Sequence, residues 1–252
     1  MRAVLVLLMM LATPSIGEEI VASMNQSQVS ITADFQGSEI FIFGAVRRDE
    51  PLPDDASPLQ VIIMVTGPVR TVIVRKKERR WGIWVNTESV QVDAAPSHYT
   101  IAATGPLDEI LSATDQLRYN IGLDRLVRTV GEVNDTNDVP AFNEAVVRLR
   151  QRAGLYSEQD GLVDLQQETL FSTAIALPAD LVEGDYTVRI LLARDRTAIG
   201  VVDSVIAVRK AGLERWIYTM AHEQPLLYGI LALLVALFAG WSASEIFRLF
   251  RR

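Results

Sequence analysis

The sequence predicts a mainly β exported domain that a single C-terminal helix anchors in a membrane. Three observations predict it: a short apolar segment at the N-terminus, a longer one near the C-terminus, and runs of branched and aromatic residues between them. The chain has 252 residues, of which 49% are hydrophobic and none is cysteine. This composition excludes a disordered chain, thiol catalysis, disulfide scaffolds and cysteine-ligated metal clusters.

The N-terminal segment has the three parts of a secretory signal. Arg2 supplies the positive charge, residues 3–12 are uncharged and apolar, and the small residues Ser15 and Gly17 follow. The apolar part is shorter than the ~20 residues that a helix needs to cross a membrane. We therefore predict a cleaved signal peptide over residues 1–17, with an uncleaved anchor or a buried first strand as the alternatives.

The C-terminal apolar segment is long enough to span a membrane. No charged residue occurs between Glu223 and Glu245, an interval of 21 residues, and a spanning helix needs ~20. An aromatic residue stands near each end, and three arginines follow the segment. Because basic residues stay on the cytoplasmic side, we predict an exported N-terminal domain, a transmembrane helix over residues 225–244 and a cytoplasmic stub over residues 245–252.

The exported part is acidic. Of the 24 basic residues four lie outside it, and of the 31 acidic residues one does, which leaves 20 basic and 30 acidic residues and a net charge of −10. Nucleic acids and anionic lipids bind to positive surfaces. We therefore predict no nucleic acid partner.

The first half of the exported domain has the pattern of strands. Branched and aromatic residues form short runs, and the first two runs are apolar on both faces, as expected of strands buried in a core. A charged, proline-containing loop over residues 47–55 separates these two runs. The five predicted strands cover residues 38–46, 59–65, 70–75, 81–92 and 98–104.

A helical insertion is predicted over about residues 105–153, because the apolar period changes after Gly105 and Pro106. Asp138 is placed to cap the third of its helices, Pro140 suits a first turn, and Gly154 suits a left-handed end. Short helices are predicted over residues 106–112 and 116–130, and the third helix has an apolar stripe at residues 139, 142, 146, 149 and 153.

Strands return over residues 185–192 and 200–208, where alternate apolar residues share one face. Tyr186 follows a loop containing proline and glycine, which is similar to the tyrosine corner of immunoglobulin-like sandwiches. In that corner a tyrosine hydroxyl bonds to upstream backbone. We therefore predict an immunoglobulin-like β-sandwich-type domain over residues 18–210, joined to the membrane helix by a linker over residues 211–224.

A basic segment is the first candidate binding site. Five of the six residues from 75 to 80 are basic, and at the tip of a hairpin they would make a local positive field that docks a partner or lipid headgroups. The sequence alone favours the alternative, a solvated turn whose charges discourage edge-to-edge aggregation. The basic residues are Arg75, Lys76, Lys77, Arg79 and Arg80.

Three aromatic residues near this segment are candidates for stacking on a planar or sugar-like ligand. Alternation places Trp81 on the same face as Ile83 and Val85, and Trp84 on the opposite face. We expect Trp81 to lie in the core, and Trp84 and Tyr99 to remain candidates for ligand stacking.

No motif predicts catalysis, a cofactor or a metal. The chain has no Gly-x-Ser-x-Gly elbow, no phosphate-binding loop and no His-Glu-x-x-His pair. We expect His98 to be a structural strand or loop residue. The oxygen-rich segment 134–138 lacks the glycine and glutamate of an EF-hand, so we expect it to form a turn and helix cap. We predict a protein that is not an enzyme, with a hydrolase of non-standard site as the weakest alternative.

The order of motifs along the chain resembles one family. These motifs are VSITADFQGSEIFIFGAV over residues 29–46, VRKKERRWGIWVN over residues 74–86, and the segments 103–111, 154–162, 184–186 and 226–229. They resemble the alphaproteobacterial putative transmembrane protein family, single-pass proteins of unassigned activity. The resemblance implies a Gram-negative inner membrane with the domain in the periplasm. Members of the family are often encoded beside a permease similar to sulfite exporters, which would fit an accessory role.

Two functions remain open on the sequence. The first is a non-enzymatic, membrane-anchored periplasmic domain that serves as an accessory or interaction module for another envelope protein, such as a polytopic membrane transporter. The second is a periplasmic small-ligand-binding or sensory domain that uses Trp84, Tyr99 or the acidic loops. The short cytoplasmic stub argues against signalling, because it has no room for an output domain.

Overall fold

A computed structural model describes residues 18–32, 35–48, 56–129, 139–211 and 213–250. Three sequence predictions lie outside the described residues. They are the signal peptide over residues 1–17, most of the loop over residues 47–55, and the turn and cap over residues 134–138.

Two sheets carry ten of the strands in the described part of the chain. The four-stranded sheet has the order β1 (Glu18–Met24), β3 (Ser38–Arg48), β10 (Leu170–Leu177) and β9 (Asp164–Gln166). The six-stranded sheet has the order β2 (Gln28–Ile31), β12 (Thr197–Lys210), β11 (Gly184–Arg194), β4 (Gln60–Thr66), β7 (Tyr99–Ala103) and β8 (Tyr156–Asp160).

This strand order is that of an immunoglobulin-like sandwich. The four-stranded sheet matches the ABED sheet of that fold, and β4, β11 and β12 match its C, F and G strands. The hydroxyl of Tyr186, near the start of β11, donates to the carbonyl oxygen of Val182 at 3.0 Å and accepts from the amide of Val182 at 3.2 Å. The predicted tyrosine corner and sandwich are therefore confirmed.

The strands of the two sheets differ in how many of their faces are buried. On β3, Ile40 and Ile42 are buried, whereas Phe41 and Phe43 are each 42% exposed. The prediction that residues 38–46 are buried on both faces is therefore wrong, because no described element covers the outer face of this sheet. The same prediction is confirmed for β4, whose central residues are all buried.

The outer face of the six-stranded sheet is covered by a helical insertion. A second apolar core forms there between sheet residues such as Ile62 and Ile101 and insertion residues such as Leu111, Ile121 and Val146. Burial of apolar surface stabilises this packing by about 25 cal/mol per Å². The insertion comprises α1 (Leu107–Ile110), α2 (Ala113–Tyr119), a 3₁₀ helix (Leu123–Arg125) and α3 (Val139–Arg152).

Two helices of the insertion end where the backbone turns left-handed. Asn120 has a φ of 53° and ends α2, so the predicted continuous helix over residues 116–130 is wrong. Gly154 has a φ of 70° just after α3, as its sequence position predicts. The predicted stripe is confirmed at Phe142 and Val146, which are buried, but Leu149 is exposed.

A two-stranded hairpin connects β4 to β7. It consists of β5 (Val69–Arg80) and β6 (Ile83–Pro96). The predicted turn over residues 75–80 is wrong, because these residues belong to β5 and the turn lies at Trp81 and Gly82. Both turn residues have positive φ values, 54° and 85°, which is the pattern of a type I′ turn.

The C-terminal unit contains two helices, α4 (Leu213–Glu223) and α5 (Pro225–Phe250). Helix α4 occupies most of the segment predicted as a linker. Within α5, residues Pro225–Ser244 have a mean hydropathy of 2.1 over 20 residues and no buried side chains. This helix is long and apolar enough to cross a membrane, as the sequence predicts.

Candidate functional site

The turn of the β5–β6 hairpin contains an unusual residue. Type I′ turns favour Asn, Asp and Gly at the first central position, because other side chains are strained at positive φ. Trp81 occupies this position and is 102% exposed. The prediction that Trp81 lies in the core is therefore wrong, because strand alternation does not extend through the turn.

Strand alternation divides the basic segment between two faces of the hairpin. Residues 75–80 all belong to β5. The register with β6 shifts between Lys76 and Lys77, where Thr87 of β6 has no partner, but successive side chains along β5 still point to opposite faces. Lys76, Glu78 and Arg80 therefore share one face. Arg75, Lys77 and Arg79 share the other.

On the first face the cations are neutralised by carboxylates, and we call it the paired face. Lys76 Nζ lies 3.2 Å from Glu88 Oε1 and 3.7 Å from Glu78 Oε1, and Arg80 Nη2 lies 3.4 Å from Glu78 Oε2. The hydrogen bond and charge of Glu88 raise the pKa of the Lys76 ammonium above its ordinary value. The paired face thus has little net charge.

The second face, which we call the basic face, consists of Arg75, Lys77, Arg79 and Trp84. The three cations are exposed, and none lies within 4.0 Å of a carboxylate oxygen in the described ranges. Trp84 lies directly opposite Arg79 in the strand register and is 69% exposed. The structure thus places the aromatic candidate Trp84 on the same face as three of the five predicted basic residues, directly opposite one of them, Arg79.

Tyr99, the other aromatic candidate, lies elsewhere. It is 2% exposed on β7, its hydroxyl contacts Met64 Sδ at 3.7 Å, and its ring meets the edge of Tyr156 at 6.4 Å. Burial raises the pKa of its phenol. Since β6 runs extended for about 40 Å between Trp84 and Pro96, Trp84 and Tyr99 do not form one stacking site.

Tyr99 instead lines a cavity of about 510 Å³ on the outer face of the six-stranded sheet. Arg125 and Arg128 line the same cavity, and neither was singled out in the sequence. Arg125 ends the 3₁₀ helix, and Arg128 is held by an isolated bridge to Ala94. No local sequence signal marks these two residues, because the contacts that place them join distant parts of the chain.

His98 lies in the loop between β6 and β7, one of the two positions that the sequence predicts for it. It is 1% exposed, its Nε2 lies 3.1 Å from Thr100 Oγ1, and burial lowers the pKa of its imidazole to about 4. No group of three or more His, Asp or Glu residues that could hold a metal ion occurs in the part of the chain that the structure describes. The absence of a metal site and of catalysis stays a prediction.

An immunoglobulin-like domain followed by an apolar helix of membrane-spanning length defines a single-pass, membrane-anchored protein. The chain belongs to the alphaproteobacterial putative transmembrane protein family, because the profile described as "Putative transmembrane protein (Alph_Pro_TM)" matches residues 19–249. The match confirms the family that the sequence motifs resemble. No curated protein matches the chain.

Proposed function

We propose that this protein is a non-enzymatic interaction module of the cell envelope. In this proposal the C-terminal helix anchors it in the bacterial inner membrane, the β domain lies in the periplasm, and the outer half of the β5–β6 hairpin docks onto another envelope protein. A polytopic membrane transporter is the partner class that we expect.

The observation that carries the proposal is the position of Trp81. A tryptophan at positive φ is strained. Because the side chain of Trp81 is completely exposed, no free energy of burial offsets this strain. Residues that break a local folding rule without a folding benefit are typical of functional sites. A tryptophan at a hairpin tip can fill a pocket on a partner, and Trp and Arg are the residues most enriched at interface hot spots.

The basic face extends this surface along the hairpin. Arg75, Lys77 and Arg79 alternate along β5 and therefore form a row of about 13 Å. Their charges are uncompensated in the described structure, whereas the remainder of the exported part is acidic. This asymmetry favours a partner with an acidic surface beside an apolar pocket, since complementary charges speed association and set orientation.

Photo-cross-linking in native membranes tests the proposal. We expect p-benzoylphenylalanine at position 81 to give one dominant adduct with a membrane protein. The same probe at Leu149, which is 56% exposed on α3, is the control and should not give that adduct. Identical adducts from both positions, or none from position 81, would overturn the docking role of the tip.

A matched pair of double variants then tests which face contacts the partner. K77Q/R79Q removes one lysine and one arginine from the basic face, and K76Q/R80Q removes one of each from the paired face. We expect the first to lower the yield of the adduct at least about tenfold, since two charged contacts are lost. The second should change it less than about twofold, because exposed ion pairs contribute little. Equal losses would contradict the assignment to one face.

The proposed orientation has a direct test because the chain lacks cysteine. A single cysteine at Ser89, which is exposed on β6, should react with a membrane-impermeant maleimide once the outer membrane is permeabilised. A cysteine added after Arg252 should react only after the inner membrane is broken. The reverse order would place the hairpin in the cytoplasm.

A further inference from the structure

The cavity beside Tyr99 is separate from the hairpin tip and has the size of a small-molecule site. Its volume of about 510 Å³ falls within the ~300–1,000 Å³ that is usual for such sites. Met64, Tyr99 and Arg189 contribute to it from the adjacent strands β4, β7 and β11. Tyr119, Arg125 and Arg128 contribute to it from the helical insertion.

Two of its arginines hydrogen-bond only to neutral groups among the described residues. Arg125 Nη1 donates to Gln116 Oε1 at 2.9 Å and to the carbonyl oxygen of Ile121 at 3.2 Å. Arg128 Nη2 donates to Asn120 Oδ1 at 2.6 Å. A guanidinium has five N–H donors, so both arginines keep further donors for a ligand and have no compensating carboxylate among the residues that the structure describes.

The third arginine of the cavity provides the contrast. Arg189 Nε and Nη2 donate to the two carboxylate oxygens of Asp203 at 2.7 and 2.8 Å. This two-point pair neutralises Arg189, so the charge available to a ligand comes from Arg125 and Arg128. Asp185 of β11 also lines the cavity, on the wall formed by the sheet. Because its carboxylate would repel an anion, we expect the negative end of a ligand to lie at the opposite wall, beside Arg125 and Arg128.

The hydroxyl of Tyr99 adds a third donor. It is buried, and its proton is directed to Met64 Sδ at 3.7 Å. A thioether sulfur is a weak acceptor, so a carboxylate oxygen in the cavity would be a better partner for this proton. The apolar side chains of Val69, Pro96 and Leu126 line the same space and would pack against an apolar body.

We propose that this cavity binds a small organic anion, a carboxylate with an apolar body. The carboxylate accepts hydrogen bonds from Arg125 and Arg128, and the body packs against the apolar wall. Arg128 is preorganised for this role, because its amide and carbonyl both hydrogen-bond to the backbone of Ala94, at 3.1 and 3.2 Å. The proposal does not depend on the function of the hairpin.

Calorimetric titration of the full-length protein in detergent tests it with a matched pair of probes. 4-Phenylbutanoate carries the charge, and 4-phenylbutanamide has nearly the same shape without it. We expect saturable binding of the carboxylate and at least about tenfold weaker binding of the amide, because hydrogen bonds to a charged group are roughly twice as strong as neutral ones.

Three variants locate the site. Arg128→Gln should weaken binding of 4-phenylbutanoate at least about tenfold. Ala94→Phe should abolish binding by filling the cavity, with both arginines kept. Arg118→Gln is the control, because Arg118 is exposed on α2 and does not line the cavity, and it should leave the affinity unchanged. Thermal unfolding of each variant confirms that it is folded.

Three results would overturn the proposal. The first is equal affinity for the carboxylate and the amide. The second is an affinity for 4-phenylbutanoate that neither Arg128→Gln nor Ala94→Phe changes. The third is the absence of saturable binding of the carboxylate up to about 10 mM, a concentration that corresponds to about 3 kcal/mol of binding free energy.

Discussion

Arg79 lies directly opposite Trp84 across the β5–β6 hairpin, so an exposed indole shares one face with a cation that has no carboxylate partner among the described residues. The opposite face carries Lys76 and Arg80, and both are held by carboxylates. A segment that is uniformly basic in sequence is thus divided into a charged face and a nearly neutral one. In the proposed docking role, this asymmetry would set which face of the hairpin contacts the partner.

Replacing the tip tryptophan should stabilise the protein or leave it unchanged. Trp81→Asn puts a residue that tolerates positive φ in the type I′ turn, and no buried contact is lost. We expect the free energy of unfolding to rise by up to about 1 kcal/mol, measured by denaturant unfolding of the detergent-solubilised protein. With p-benzoylphenylalanine placed at position 84 instead, Trp81→Asn should abolish the cross-link to the partner.

Gly82→Ala is the control for this measurement. Gly82 has a φ of 85° and no atoms near the position of an added Cβ, so alanine adds only backbone strain. We expect a loss of about 1 kcal/mol. If Trp81→Asn destabilised the protein as much as Gly82→Ala, Trp81 would have a folding role and the argument from strain would fail.

The parts of the fold that local signals determine were predictable from the sequence. Alternation along β11, the tyrosine corner and Gly154 at the end of α3 are examples, because each involves residues only a few positions apart. The hairpin turn was not predictable, because Trp81 occupies a position where its residue type is rare. The burial of Tyr99 depends on the helical insertion over the sheet, and the position of Arg128 depends on Ala94, 34 residues away.

The strand β1 is joined to the sandwich by a buried ionic network. Glu18 Oε1 accepts from Arg48 Nε at 2.8 Å and from Arg194 Nη2 at 3.0 Å, and its side chain is 3% exposed. Glu18→Gln removes the charge at nearly constant shape, which leaves the Arg48 guanidinium without a carboxylate partner among the described residues and Arg194 with Glu168 alone, at 3.7 Å. We expect the free energy of unfolding to fall by about 3 kcal/mol, measured by denaturant unfolding.

The neighbouring residue provides the control for Glu18→Gln. Glu19 pairs with Arg47 on the surface, and both side chains are more than half exposed. Glu19→Gln should change the free energy of unfolding by less than about 1 kcal/mol. A similar loss of unfolding free energy in both variants would show that the buried ion pairs of Glu18 stabilise the protein no more than the exposed pair of Glu19.

The hydrogen bonds of the tyrosine corner should contribute measurably to the free energy of unfolding. Tyr186→Phe removes the hydroxyl that bonds to both backbone groups of Val182. Because these groups then lose their protein partner, we expect a loss of about 1–3 kcal/mol in thermal or denaturant unfolding. Tyr119→Phe, on a half-buried ring, should cost less than about 0.5 kcal/mol, and equal costs would contradict the role of the corner.

The free energy of unfolding of the domain should decrease as the pH is lowered from neutral to mildly acidic, because of His98. Burial lowers the pKa of its imidazole in the folded state to about 4, against 6.5 for an ordinary histidine. Between these two values the unfolded chain binds a proton that the folded protein does not, so acid favours unfolding. The contribution of His98 is complete above about pH 6.5 and is lost as the pH falls toward 4, by about 3 kcal/mol in total.

Denaturant unfolding between pH 4 and pH 7 measures this slope. His98→Gln should lower stability at pH 7 and flatten the dependence in that window, because glutamine does not titrate. If the unfolding free energy of His98→Gln depended on pH as steeply as that of the native chain, the imidazole of His98 would bind protons in the folded state as readily as in the unfolded state. That result would contradict the effect expected from its burial, at 1% exposure.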